Sequence, residues 1–161
     1  MASPATAKPL TVRCQCGHVS FPTPTAQPLS LFYCHCTECQ KQTSSAFGTS
    51  AIYPASGLFP LPPQLAARMR VFRRAPHATN GRSQDCYFCA ECGSRLLHRI
   101  VDADGRARDT VSVKGGCIEG LEWRWETSMH IFVRSAVIPL PEGFETYETI
   151  PAWMQKSLDG K

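Results

Sequence analysis

Cys34-His35-Cys36-Thr37-Glu38-Cys39 places three thiols within six residues, as a C-x-C step followed by C-x-x-C. Thiols this close suit a tetrahedral, borderline-soft metal such as zinc better than they suit a loop-closing disulfide. A closed structural zinc site takes four protein ligands; a catalytic one takes three and keeps a position for water or substrate. A complete four-thiol set lies elsewhere, in Cys14-Gln15-Cys16 and Cys89-Ala90-Glu91-Cys92. If those four close one site, Cys34, Cys36 and Cys39 are left with an open position, which points to an enzyme.

The three-thiol set falls at an expected junction between a strand and a short helix. A helix N-terminus lowers thiol pKa values, and bound zinc fixes the thiolates. An exogenous thiolate in the open position needs no dedicated base, which suits chemistry on sulfur. Other outcomes stay open from spacing alone. His35, Cys86, Cys117 or His130 could join as a fourth ligand and close a second structural site. The trio could also be a redox-sensing thiol group, or a non-catalytic zinc module built for interactions. No Ser-His-Asp spacing, P-loop or G-x-G-x-x-G is present.

At 161 residues the chain is long enough to bury a core as one domain. Apolar residues make up 43% and charged residues 19%, ordinary for a globular protein. The net charge of +4 is mild, and Arg68, Arg70, Arg73, Arg74, Arg106 and Arg108 are scattered, so no nucleic-acid tail is expected. No stretch approaches the roughly 20 apolar residues of a membrane span. Residues 1–9 lack the apolar core of a signal peptide and read as a disordered lead. The cytoplasm is therefore the expected compartment, where thiols stay reduced. Seven of the nine cysteines fall into the two sets; Cys86 and Cys117 do not, and such cysteines usually behave as small buried hydrophobes.

The elements that must position these thiols read as short strands with turns between them, a mainly β pattern. Strands are expected at 10–14 and 18–21, flanking a first knuckle at Cys14–Gly17, then at 29–33, 47–53 and 69–73. A short helix is expected over 36–43 and a loop over 54–63. Gly81 to Gln84 reads as a turn, and Cys89 to Gly93 as a second knuckle. Strands follow at 94–100, 110–114 and, as one or two, at 129–138. Asp104-Gly105 centres a turn. A terminal helix is expected within 151–161.

Four segments carry a resemblance to a known family: Cys14-Gln15-Cys16-Gly17; Cys34 to Gln42; Phe88-Cys89-Ala90-Glu91-Cys92-Gly93-Ser94-Arg95-Leu96; and His130-Ile131-Phe132-Val133-Arg134, leading to Pro139-Leu140-Pro141-Glu142-Gly143. Over roughly residues 10–150 the chain resembles the glutathione-dependent formaldehyde-activating enzymes, a family that also includes centromere protein V. The resemblance implies a β-tent-like fold of small antiparallel sheets bridged by zinc. It implies structural zinc on Cys14, Cys16, Cys89 and Cys92 and catalytic zinc on Cys34, Cys36 and Cys39, hence two zinc ions per chain. It implies carbon–sulfur lyase chemistry on an adduct of glutathione or a similar thiol. Ser45, Ala46, Phe47 and Gly48 then line the substrate cleft. His130 is a candidate for the cleft wall or proton transfer, against the plainer role of a packed sheet histidine. Lys41 and Arg95 are candidate cations for the carboxylates of the tripeptide, from position only. A small-molecule adduct is the expected partner, with no nucleic acid or membrane, and a homo-oligomer is left open. Lys114-Gly115-Gly116-Cys117-Ile118-Glu119 departs from the Gly-Ser-Leu-Asp turn of many relatives, so one pocket wall is expected to differ.

Overall fold

Short apolar alternations set the secondary structure. In Thr110-Val111-Ser112-Val113, both valines are buried and Ser112 is half-buried, the period of two that a pleated strand imposes. The structure, a computed structural model, describes residues 8–75 and 81–154. Most of the expected N-terminal lead and the end of the expected terminal helix lie outside the described residues, although residues 152–154 are helical.

The chain is mainly β. Its strands are β1 (Thr11–Arg13), β2 (Ser20–Pro22), β3 (Ser30–Cys34), β4 (Gly48–Pro54), β5 (Met69–Arg74), β6 (Ser83–Cys89), β7 (Arg95–Val101), β8 (Thr110–Lys114), β9 (Ile118–Glu119), β10 (Met129–Ile131) and β11 (Thr146–Tyr147). Two short helices join them, α1 (Thr37–Thr43) and α2 (Pro63–Ala66). Among the described residues no helix is long and apolar enough to cross a membrane.

Two compact units result. The first takes the chain up to Ser30 together with Ala51–Leu121; the second takes Leu31–Ser50 and the chain from Glu122. In the first unit β1 pairs antiparallel with both β2 and β9. Strands β5, β6, β7 and β8 are antiparallel neighbours in that order. Their register aligns Phe72, Cys86, His98 and Ser112 across four strands. Val12, Val19, Tyr53, Leu96, Leu97, Val111 and Val113 fill the interior. Arg73 grips Asp85 through two hydrogen bonds of 2.6 and 2.7 Å.

The second unit has fewer strand residues. β3 runs parallel to β10, and β10 parallel to β11. The β3–β10 register sets His130 opposite Tyr33 and Ile131 opposite Cys34. Two sequence expectations change here and in the first unit. β6 begins at Ser83, within the expected turn, because Ser83 and Gln84 pair with Val101 and Ile100 on β7. The strand expected over 129–138 stops at Ile131: Phe132 adopts a left-handed conformation (φ 57°), and a 3-10 turn follows at Val133–Ser135.

Candidate metal centres

The four-thiol set closes in the first unit. Each knuckle turns at a glycine in the left-handed region, Gly17 at φ 78° and Gly93 at φ 72°, a backbone that L side chains seldom adopt. The Gly17 amide donates to the Cys14 carbonyl and the Gly93 amide to the Cys89 carbonyl, both at 3.0 Å. The four Sγ atoms of Cys14, Cys16, Cys89 and Cys92 lie within 4.8 Å of one another. Cys14 and Cys16 are 3.5 Å apart at sulfur, and Cys16 and Cys89 are 3.8 Å apart. A tetrahedron of sulfurs at ~2.3 Å from zinc has edges of ~3.8 Å, so the spacing fits the ion, whereas a disulfide needs ~2.0 Å. Amides and hydroxyls already face the sulfurs. Val19 N–H donates to Cys14 Sγ at 3.2 Å, and the Ser94 hydroxyl and amide hold the Cys92 thiol down to about 5. The His18 amide draws the Cys16 thiol down, but burial and the surrounding sulfurs push it up to about 12. Such a cluster stores negative charge on some sulfurs and protons on others until a cation replaces the protons.

The three-thiol set closes in the second unit, at the junction of β3 and α1. Cys34 ends β3. Cys36 is the N-cap of α1, with φ −67° and ψ 151°, and its sulfur accepts from the Cys39 amide at 3.4 Å. Cys39 lies in the first helical turn. The three Sγ atoms lie within 4.8 Å of one another, and Cys34 to Cys36 is 3.5 Å. Hydrogen bonds from Cys34 and Cys39 hold the Cys36 thiol down to about 2, while the same bonds push Cys34 up. Among the described residues no fourth His, Cys, Asp or Glu joins the group. Gly48 backs Cys39 closely: a Cβ there would meet Cys39 Cβ at 3.3 Å and Sγ at 3.6 Å.

Beside the trio sits a pair of fully buried histidines. His35 Nε2 and His130 Nδ1 are 3.0 Å apart, and His130 Nε2 is 3.1 Å from the Trp125 carbonyl oxygen. A carbonyl can only accept, so His130 Nε2 carries a hydrogen. For neutral rings, His130 Nδ1 then accepts from His35 Nε2, which leaves His35 Nδ1 as a bare lone pair. That atom is buried and has no hydrogen-bond partner among the described residues. Burial, and then the neighbouring His130, lower the His35 pKa. Gln40 ties this corner together: its Nε2 donates to the His35 carbonyl at 2.7 Å and the Ser135 carbonyl at 2.8 Å.

The structure brings most of the sequence candidates together. Lys41, Ser45, Phe47 and His130 share the second unit with the trio. Lys41 is exposed and paired with Glu38 at 3.2 Å. Ser45 is exposed, and the ring of Phe47 lies 5.5 Å from that of His35. His130 is a packed histidine on β10 with both ring nitrogens engaged. Arg95 lies in the first unit on β7, its guanidinium 5.7 Å from the centroid of Phe88. Sequence reasoning passed over Gln40, Trp123 and Trp125. Both tryptophan rings meet Tyr33, at 5.4 and 4.6 Å between centroids.

A mainly β chain with two convergent cysteine clusters able to hold metal is the class that fold and sites define. Residues 9–135 match the model of one family, "Glutathione-dependent formaldehyde-activating enzyme", and the chain belongs to that family. No curated protein gave a significant match.

Proposed function

We propose that the chain is a zinc-dependent carbon–sulfur lyase acting on an adduct of glutathione, or a similar thiol, with an aldehyde or related electrophile. The observation that carries this reading is the open trio: Cys34, Cys36 and Cys39 converge, and no fourth ligand joins them among the described residues. Family membership supports glutathione as the thiol. Sulfur-only donor sets favour zinc over hard cations, and the 3.5 Å spacing suits it. Two zinc ions per chain follow, one in each cluster, and a reducing compartment such as the cytoplasm keeps both sets of thiols competent. Zinc on the trio supplies a Lewis-acid centre with one position for a substrate atom.

The chain's own residues do the rest. Gln40 fixes the turn that carries the trio. His130, anchored on the Trp125 carbonyl, holds the His35 ring in one tautomer, and the two buried rings brace the backbone between Cys34 and Cys36. Ser45 and Phe47 border the cleft, and Lys41 exchanges Glu38 for a carboxylate of the tripeptide, a small cost for an exposed pair. In the cleavage direction the carbon–sulfur bond breaks with its electron pair on sulfur. The hydroxyl O–H electrons form the carbonyl, and the released proton ends on the thiol. Formation is the reverse, and no oxidant or reductant is needed.

The test is Cys36→Ser in zinc-replete protein. Metal content falls from two to one per chain, turnover of the glutathione–formaldehyde adduct falls by about 100-fold or more, and the far-UV spectrum is kept. Full turnover with one metal bound overturns the assignment.

A further inference from the structure

Strand β5 has a neighbour on one side. Among the described residues it pairs with β6 alone, in a register that runs unbroken from Met69 opposite Cys89 to Arg74 opposite Gln84. Just before it, the Ala90 amide donates to the Arg68 carbonyl at 3.0 Å. In an antiparallel ladder hydrogen-bonded pairs alternate with unbonded ones, so Arg70, Phe72 and Arg74 turn their backbone groups to β6. Met69, Val71 and Arg73 turn their N–H and C=O groups outward. Val71 and Arg73 are exposed, and their outward backbone groups have no hydrogen-bond partner among the described residues.

Native proteins close off such an edge with proline, a bulge, a covering segment or charge. β5 has no proline and no bulge; it has positive charge and apolar surface. Arg70, Phe72 and Arg74 share one face of the sheet, and Val71 and Arg73 the other. Val71 and Phe72 are 52% and 54% exposed. Arg73 is held by Asp85, whereas Arg70 and Arg74 meet no carboxylate among the described residues. A second copy of β5 brings the same arginines and is repelled. A strand with two acidic side chains four positions apart and an apolar one between them is complementary, since it sets the acids beside Arg70 and Arg74 and the apolar group beside Phe72. We propose that the outer edge of β5 docks an extended acidic segment of a partner protein, which adds to the sheet as a further strand. The backbone groups of Val71 and Arg73 hold the segment, and Arg70, Phe72 and Arg74 select its sequence. This edge lies wholly in the first unit and uses none of the three-thiol set.

The experiment is fluorescence anisotropy with zinc-replete full chain and a labelled peptide carrying Glu-Thr-Phe-Val-Glu between neutral ends. Laid antiparallel on β5, its glutamates face Arg74 and Arg70 and its phenylalanine faces Phe72. It binds saturably, and about tenfold more tightly than the same peptide with lysines for glutamates. Methylating the backbone nitrogens of its threonine and valine, which face Arg73 and Val71, weakens it by about tenfold or more. The double variant Arg70→Glu, Arg74→Glu reverses the preference between the two peptides. Val71→Pro removes an outward N–H and no bond to β6, and binding is lost while the far-UV spectrum is kept. Absence of saturable binding to the wild type overturns the proposal, as does a preference that the double variant leaves unreversed. Binding that survives N-methylation, or that persists in folded Val71→Pro, is charge attraction without strand addition and overturns it too. A wild-type dimer in sedimentation that Val71→Pro converts to monomer assigns the edge to a second copy, against the proposal. If Val71→Pro does not fold, the methylated peptide and the charge reversal decide.

Discussion

Gln40 donates both amide hydrogens to backbone carbonyls, one beside the trio at His35 and one in the 3-10 turn at Ser135. Each such bond contributes about 1 kcal/mol net, so Gln40→Ala costs about 2 kcal/mol in urea melts. Gln40→Glu costs more, because a carboxylate then faces two carbonyl oxygens with no donor between them. A Glu variant as stable as the wild type would show that the clamp is idle. Nothing in the sequence announces this clamp, because its carbonyl partners stand 5 and 95 positions away and backbone groups carry no residue signature. The thiol sets were legible for the opposite reason. C-x-C and C-x-x-C steps bring sulfurs together within one turn, so ligand spacing is a local property. Trp123 and Trp125 left only a faint trace, two indoles in a charged loop, because they gain meaning only against Tyr33, some ninety positions earlier.

Strands β6, β7 and β8 align Cys86, His98 and Ser112 across one row. His98 is buried, and its Nε2 has no hydrogen-bond partner among the described residues. Burial first, and then the cations Lys114, Arg95 and Arg74, push its pKa well below the ordinary 6.5. The unfolded chain takes up a proton at about 6.5 and the folded one does not, so below that pH the unfolded state binds more protons. Stability from the neutral ring is complete above pH 6.5 and is lost as the pH falls below it. The slope approaches about 1.4 kcal/mol per pH unit. Urea midpoints between pH 8 and pH 5 check this: His98→Leu flattens the slope relative to the wild type. Parallel slopes would assign the loss to another group. Among these elements β8 was readable from alternation alone. The start of β6 was not, since Gly81-Arg82-Ser83-Gln84 has the composition of a turn and becomes strand only by pairing with β7. Likewise Ile131-Phe132-Val133 reads as strand, yet the Phe132 amide reaches the Thr149 carbonyl at 2.8 Å and the backbone turns left-handed there.

Each cysteine cluster lies wholly within one compact unit, and the proposed function gives the two different mechanical work. The four-thiol set joins sulfurs 73 positions apart, from Cys16 to Cys89. A metal there would act as a cross-link on a long loop, and by the chain-entropy argument for such links it would contribute on the order of 4 kcal/mol to folding. The trio spans six residues and closes no long loop, so a metal there would add little to chain entropy and, on the proposed reading, would be free to serve chemistry. An open position on a metal held there would also give a competing chelator a place to attack, which a closed four-sulfur shell lacks. Titrating the two-zinc protein with a chelator should therefore remove one equivalent first, with loss of turnover and an unchanged far-UV spectrum. The second equivalent should leave more slowly and take the first unit's tertiary structure with it. Cys14→Ser should mimic the late event and Cys36→Ser the early one. If both equivalents leave together, or if the fold melts with the first, the roles given to the two clusters are wrong. If turnover survives the first loss and fails only with unfolding, the trio is not the seat of the chemistry.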